Sequence, residues 1–120
     1  MIFKEYDNDL YVSSITWLEF QLRLKELIPN QNAREEVLAI CDELLADTLP
    51  VTREVARAAF DLRQQLARRI PNADALIAAT AKLQGATLVH RDPHLAAIPE
   101  TLVKQIVLPE KTKAAQPRKI

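Results

Sequence analysis

The chain has 120 residues, 48% of them hydrophobic, with 16 basic residues against 16 acidic ones. That length and apolar content suit one domain with a real core, and a formal net charge of zero means that any nucleic-acid surface must come from a local basic patch. One cysteine, Cys41, excludes an intramolecular disulfide and reads as a small core residue; with no apolar run near the length of a membrane span and no signal-peptide core in MIFKEYDND, a cytosolic home without a membrane partner is the default.

In chain order, a polar turn at Asp7, Asn8 and Asp9 precedes a strand over Leu10 to Ser14. A helix follows to about Leu27, with Trp17, Phe20, Leu24 and Leu27 at core-facing spacing. Pro29 and Asn30 break the chain, and Ala33 to about Ala46 reads as an amphipathic helix with Val37, Ile40, Cys41, Leu44 and Leu45 inward. Thr48 to Val51 is at most a short extended piece. Thr52 then caps a helix reaching about Arg69, with Val55, Ala59, Leu62 and Leu66 in a stripe and Arg53, Arg57, Arg63 and Arg68 facing elsewhere.

The most informative stretch is PNADALIAATAKLQGATLVHRD, from Pro71 to Asp92. Asn72 is a good helix N-cap, residues Ala73 to Gln84 are helix formers and small apolar side chains, and Gly85, the only glycine, supplies a left-handed stop. Ala86 to Val89 is a short apolar run of the kind that fills a buried strand. The helix descends roughly 15 Å at about 1.5 Å per residue and the strand climbs back about 20 Å. Asp74, in the first turn, and Asp92, past the strand, therefore return to the edge where open α/β sheets place their ligands. A turn or helical segment over Pro93 to Ile98, a last strand around Leu102 to Leu108, and a basic, disordered tail from 110 to 120 complete the chain, with residues 1–109 as the folded domain. Helices between strands predict a three-layer α/β domain with a largely parallel sheet.

The strand ending at Ser14 delivers Glu19, in the early turns of the next helix, to that same edge. Three carboxylates gathered there, Glu19, Asp74 and Asp92, raise one another's pKa unless a cation neutralises them, and Mg or Mn held by such oxygens activates water against a phosphodiester. Each acid also has an ordinary role: Thr16-x-x-Glu19 fits a capping box, Asp74 suits the helix dipole, and Asp92-Pro93 starts a turn. His90 and His94 flank Asp92, but no second cluster has structural-zinc spacing. The arginines of Thr52 to Arg69 fit either an RNA-facing surface or a solvated face, and the tail's Lys111, Lys113, Arg118 and Lys119 could attract phosphate. Ser13 and Ser14 lack the partners of a nucleophile elbow.

The segments VSSITWLEF, LPVTREVARAAFDLR, IPNADALIAATAKLQGATLV and HRD together resemble the PIN domains, particularly the VapC-type ribonuclease toxins of toxin-antitoxin pairs. The resemblance implies a Mg- or Mn-dependent endoribonuclease acting on RNA, forming a homodimer and restrained by a cognate antitoxin protein, with Glu19, Asp74 and Asp92 as three of its acidic site residues. Two features depart from that pattern. The family's opening D-[TS]-[SN] strand and its following helix have no counterpart: Asp7 and Asp9 both precede the second strand of the pattern, and neither is followed by Thr or Ser. His90 stands where the family has Thr or Ser, and a bulky imidazole there would crowd or retune the metal's waters. The expectation is thus a PIN-like domain short of its first strand and helix. The alternatives are an inactive remnant serving as an interaction module, and a plain α/β binding module.

Overall fold

The computed structural model describes residues 2–4 and 9–109. In chain order its elements are β1 (Ile2–Lys4), β2 (Leu10–Ser13), α1 (Ser14–Leu27), α2 (Gln31–Leu44), β3 (Asp47–Leu49), α3 (Arg53–Gln65), α4 (Asn72–Gln84), β4 (Thr87–His90), α5 (Pro93–Ala96) and β5 (Gln105–Val107). Asp7 and the tail from 110 to 120 lie outside the described residues.

The strands form one sheet in the order β3-β2-β1-β4-β5. β2 pairs with β3 and β4 with β5 in parallel, while β1 runs antiparallel to both its neighbours. Four of the five strands therefore share a direction, as the helix-strand alternation predicts. The central strand is the surprise. Three residues are too few to show a period-two pattern, yet Ile2–Lys4 fills the middle of the sheet, the place for which the sequence offered no candidate. Phe3 explains how so short a segment holds: it lies opposite Tyr11 on one side and Leu88 on the other, and is wholly buried. Burying such a ring contributes about 2 kcal/mol.

One face of the sheet carries the main core. Phe3 and Leu88 meet Ala75, Ile77, Ala78, Ala79 and Ala81 of α4, backed by Val55, Ala59 and Leu62 of α3. Small side chains on three sides let α4 lie close to both strand and helix, which is why its sequence is alanine-rich rather than leucine-rich. Gly85 ends the helix at φ 63°, ψ 27°, and Ala86 turns in at once, its N–H bonding to the carbonyl of Ala81 at 2.9 Å. The chain then enters β4, with Leu88 and His90 on the core face and Thr87 and Val89 on the other.

Several boundaries differ from expectation for identifiable reasons. α3 stops at Gln65 rather than about Arg69: Ile70 is buried and precedes Pro71, whose ring disfavours helix at the residue before it, so the chain leaves the helix early to turn inward. The N-cap of α4 is Pro71, not Asn72, and the Asn72 side-chain oxygen instead accepts a hydrogen bond from Arg63 across the gap from α3. Thr48 belongs to a true strand, paired with Val12. The last strand is confined to Gln105–Val107, because the carbonyl of Pro99 gathers the N–H groups of Leu102 and Val103 into a turn. The stripe assigned to α2 does not bury: that helix has no buried residue, and Ile40 and Leu44 are exposed, as is Leu27 at the end of α1. Only Leu24 is buried in α1.

Candidate metal centre

β4 and α4 run in opposite directions, so the end of the strand and the start of the helix share one rim of the sheet. Asp74 sits in the first turn of α4, only 8% exposed, and its side chain makes no hydrogen bond among the described residues. Asp92 follows β4 by two residues and caps α5, its Oδ1 accepting the His94 N–H at 2.8 Å. Pro93 occupies the first turn of α5, where its fixed φ suits a helix start, and the cap bond then brings the His94 ring back toward the rim. His94 Nδ1 lies 3.5 Å from Asp92 Oδ1 and 3.7 Å from Asp74 Oδ2. One ligand atom from each of Asp74, Asp92 and His94 falls within 4.8 Å of the others.

The two aspartates that the sequence brings to one edge thus do meet. The third member of the cluster is a histidine, which sequence spacing alone does not distinguish from His90. What separates them is their place relative to the strand: His90 is its last residue and points into the core, whereas His94 is on the short helix beyond it. Glu19, in the second turn of α1, is exposed and stands outside the three-atom cluster, although its negative charge reaches Asp74. The capping-box role for it is not realised, since Ser13 is the N-cap of α1 and Thr16 Oγ1 is buried without a hydrogen-bond partner.

Burial pushes the Asp74 carboxyl above its ordinary range, and the charge on Asp92 pushes it further; His94 acts in the opposite direction and Glu19 adds a smaller upward push. An acid held in that state gains from a cation more than an exposed one does, because the ion both offsets the repulsion and replaces lost hydration. Two carboxylates and an imidazole are a donor set that accepts a divalent cation, and Mn more readily than Mg, which keeps to oxygen.

His90 stands outside the three-atom cluster. It is 2% exposed, its Nδ1 accepts the Asp92 N–H at 3.0 Å, and its Nε2 lies 2.6 Å from Gln105 Oε1. On the other side of His94, a cleft of about 450 Å³ is lined by Arg68, Arg69, Ile70, Pro93, His94 and Ala97. It holds two guanidinium groups and no carboxylate, and neither arginine is in an ion pair among the described residues.

The PIN domain family model matches residues 2–101. This chain is a PIN domain. A comparison with curated proteins finds no match. Among solved structures the PIN domain resembles a chain of VapBC2 from Rickettsia felis, determined bound to a DNA fragment from their promoter, with a TM-score of 0.66 and 24% identity over 81% of this chain and 73% of that one. At that identity the likeness speaks for the fold. The five-stranded sheet with its interleaved helices is accordingly a PIN-like α/β architecture, with its middle strand supplied by Ile2–Lys4 in the antiparallel sense. No helix among the described residues of this PIN domain is long and apolar enough to cross a membrane.

Proposed function

We propose that this PIN domain is a metal-dependent endoribonuclease of the VapC toxin type, cleaving RNA phosphodiester bonds at the rim formed by Asp74, Asp92 and His94. The observation that carries the reading is the convergence of those three side chains within 4.8 Å around a buried carboxylate whose pKa is raised. Asp74 and Asp92 are its cation ligands, with His94 beside them, and Glu19, exposed on α1, positions water toward the same rim. A divalent cation bound there supplies Lewis acidity and lowers the pKa of an attacking water. The chain's own part is to hold its ligands apart from bulk water on one side and to receive the RNA on the other. The Arg68 and Arg69 cleft provides the local basic patch that a net charge of zero requires, next to His94 and so next to the reacting phosphate.

Under this reading the exposed apolar residues Leu18 and Leu22 of α1 and Ile40 and Leu44 of α2 are where a cognate antitoxin or a second copy of the chain is received, and the protein works in the cytoplasm. The direct test is cleavage of RNA by the purified chain with Mn or Mg, with EDTA, and by Asp74→Asn. Metal-dependent cleavage that the chelator and the substitution both abolish is expected. Equal cleavage by the variant, or indifference to EDTA, removes the proposal.

One observation favours a second reading. The central strand, Ile-Phe-Lys, contains no carboxylate, where the family's D-[TS]-[SN] strand has one. A domain that binds Mn, as seen by a rise in melting temperature, yet leaves RNA intact would be an inactive PIN-like interaction module.

A further inference from the structure

We propose that His90 and Gln105 are positioning residues that set the orientation of Asp92 at the metal rim, acting through its main chain. This rests on the reading of Asp92 as a cation ligand. Three hydrogen bonds run in a train whose directions are determined at both ends. At one end, the carbonyl of Ile98 can only accept, and Gln105 Nε2 donates to it at 2.7 Å. That places Gln105 Oε1, an acceptor, 2.6 Å from His90 Nε2, which must therefore carry the ring hydrogen. At the other end the Asp92 N–H can only donate, and it meets the bare Nδ1 at 3.0 Å. The tautomer of His90 and the orientation of the Gln105 amide are both dictated by main-chain groups of fixed character.

The train joins three separate segments: the turn after α5, the first residue of β5 and the last residue of β4. Its terminus is the backbone of the residue whose carboxylate faces the site. Asp92 is then held twice, by its N–H from below and by its Oδ1 on the His94 N–H from above. The strand end itself is tied down as well, since the His90 carbonyl accepts the Leu108 N–H at 2.7 Å. A carboxylate on an exposed turn ordinarily samples several rotamers; this one is anchored so that its approach to Asp74 survives solvent exposure on one side. A buried histidine satisfied for stability alone would need a partner, but not one whose other end is the main chain of a site residue.

The variants exploit a local rule: an asparagine side chain bonds the N–H two residues on. His90→Asn keeps an acceptor for Asp92 while dropping the link to Gln105, whereas His90→Ala removes the acceptor and Gln105→Met removes only the far support. On an RNA substrate with saturating Mn, at a temperature well below every variant's melting point, His90→Ala is expected to lose about 10–100-fold in kcat at unchanged KM, with substantial rescue in His90→Asn. A second readout needs no turnover: the Mn concentration giving half of the thermal-stability shift rises about tenfold or more in His90→Ala and recovers in His90→Asn. Nitrogen chemical shifts of the unsubstituted protein should show Nε2 protonated and Nδ1 bare. An Nδ1–H tautomer overturns the proposal, and so do equal kcat and Mn midpoints for His90→Ala and His90→Asn. If the unsubstituted chain leaves RNA intact, the nuclease reading falls by itself and the Mn midpoints still decide the positioning role; absence of any Mn shift overturns both.

Discussion

The two helices α4 and α2 are of similar length and both contain apolar residues, yet one is the centre of the core and the other touches it hardly at all. Ile77, Ala78, Ala79 and Ala81 of α4 are completely buried, while Ile40 and Leu44 of α2 are 56% and 67% exposed. α4 is nearly featureless in amphipathic terms because it is covered by α3, the sheet and α5; α2 keeps a clear apolar face that is only partly covered, its Cys41 and Leu44 opening onto a cleft shared with Trp17 and Phe20. A strongly two-sided helix therefore need not be the better buried one. The same asymmetry bears on the proposed chemistry: Asp74 and Asp92, the proposed cation ligands, are on the packed side, where a rigid helix start and a pinned strand end can keep two like charges together.

The largest effect that would break this contrast is on activity. Asp74→Asn or Asp92→Asn should lower Mn-dependent RNA cleavage by about a hundredfold or more, ~2.7 kcal/mol of barrier, while Asp42→Asn on the exposed surface of α2 leaves the rate unchanged. A rate loss in the α2 variant equal to the others would place the chemistry elsewhere. Next is stability, read from urea midpoints: Ile77→Ala should cost about 3 kcal/mol and Ile40→Ala no more than ~0.5 kcal/mol. Comparable losses would mean that α2 is covered after all.

A smaller effect is expected at the end of α4. A Cβ on Gly85 meets nothing within 4 Å, so Gly85→Ala should lose only the backbone term, about 1 kcal/mol, and Gly85→Asn less. The smallest concerns pH. Because the Asp74 pKa is raised on folding, the folded protein binds more protons between the unfolded and folded values; stability falls as pH rises through that window, and the charge destabilises the metal-free protein above it. Asp74→Asn should accordingly raise the melting temperature of metal-free protein at neutral pH, with the gain vanishing once the pH drops below the unfolded value. Added Mn should reverse the order, stabilising the parent over the variant. A variant equally stable at neutral and acid pH relative to its parent would mean that Asp74 is not desolvated.

By itself the sequence determined what local rules govern. Short-range backbone preference decides where α4 ends, hence the glycine stop and the strand after it, and the antiparallel run of helix and strand then obliges Asp74 and Asp92 to return to one rim. The alternation of elements likewise set the α/β class and the prevailing strand direction. Tertiary structure alone decided the rest. Ile2–Lys4 becomes the central strand because Phe3 finds Tyr11 on one side and, from far along the chain, Leu88 on the other. Within the apolar stripe of α2, Ile40 and Leu44 stay exposed while Val37, Cys41 and Leu45 are half-buried, a difference that periodicity cannot give because it says which residues share a face and nothing about what lies across from it. His90 and His94, alike in composition and four residues apart, part company for the same reason: one ring has Gln105 of another strand to bond and goes into the core, and the other is brought by a cap to the carboxylates.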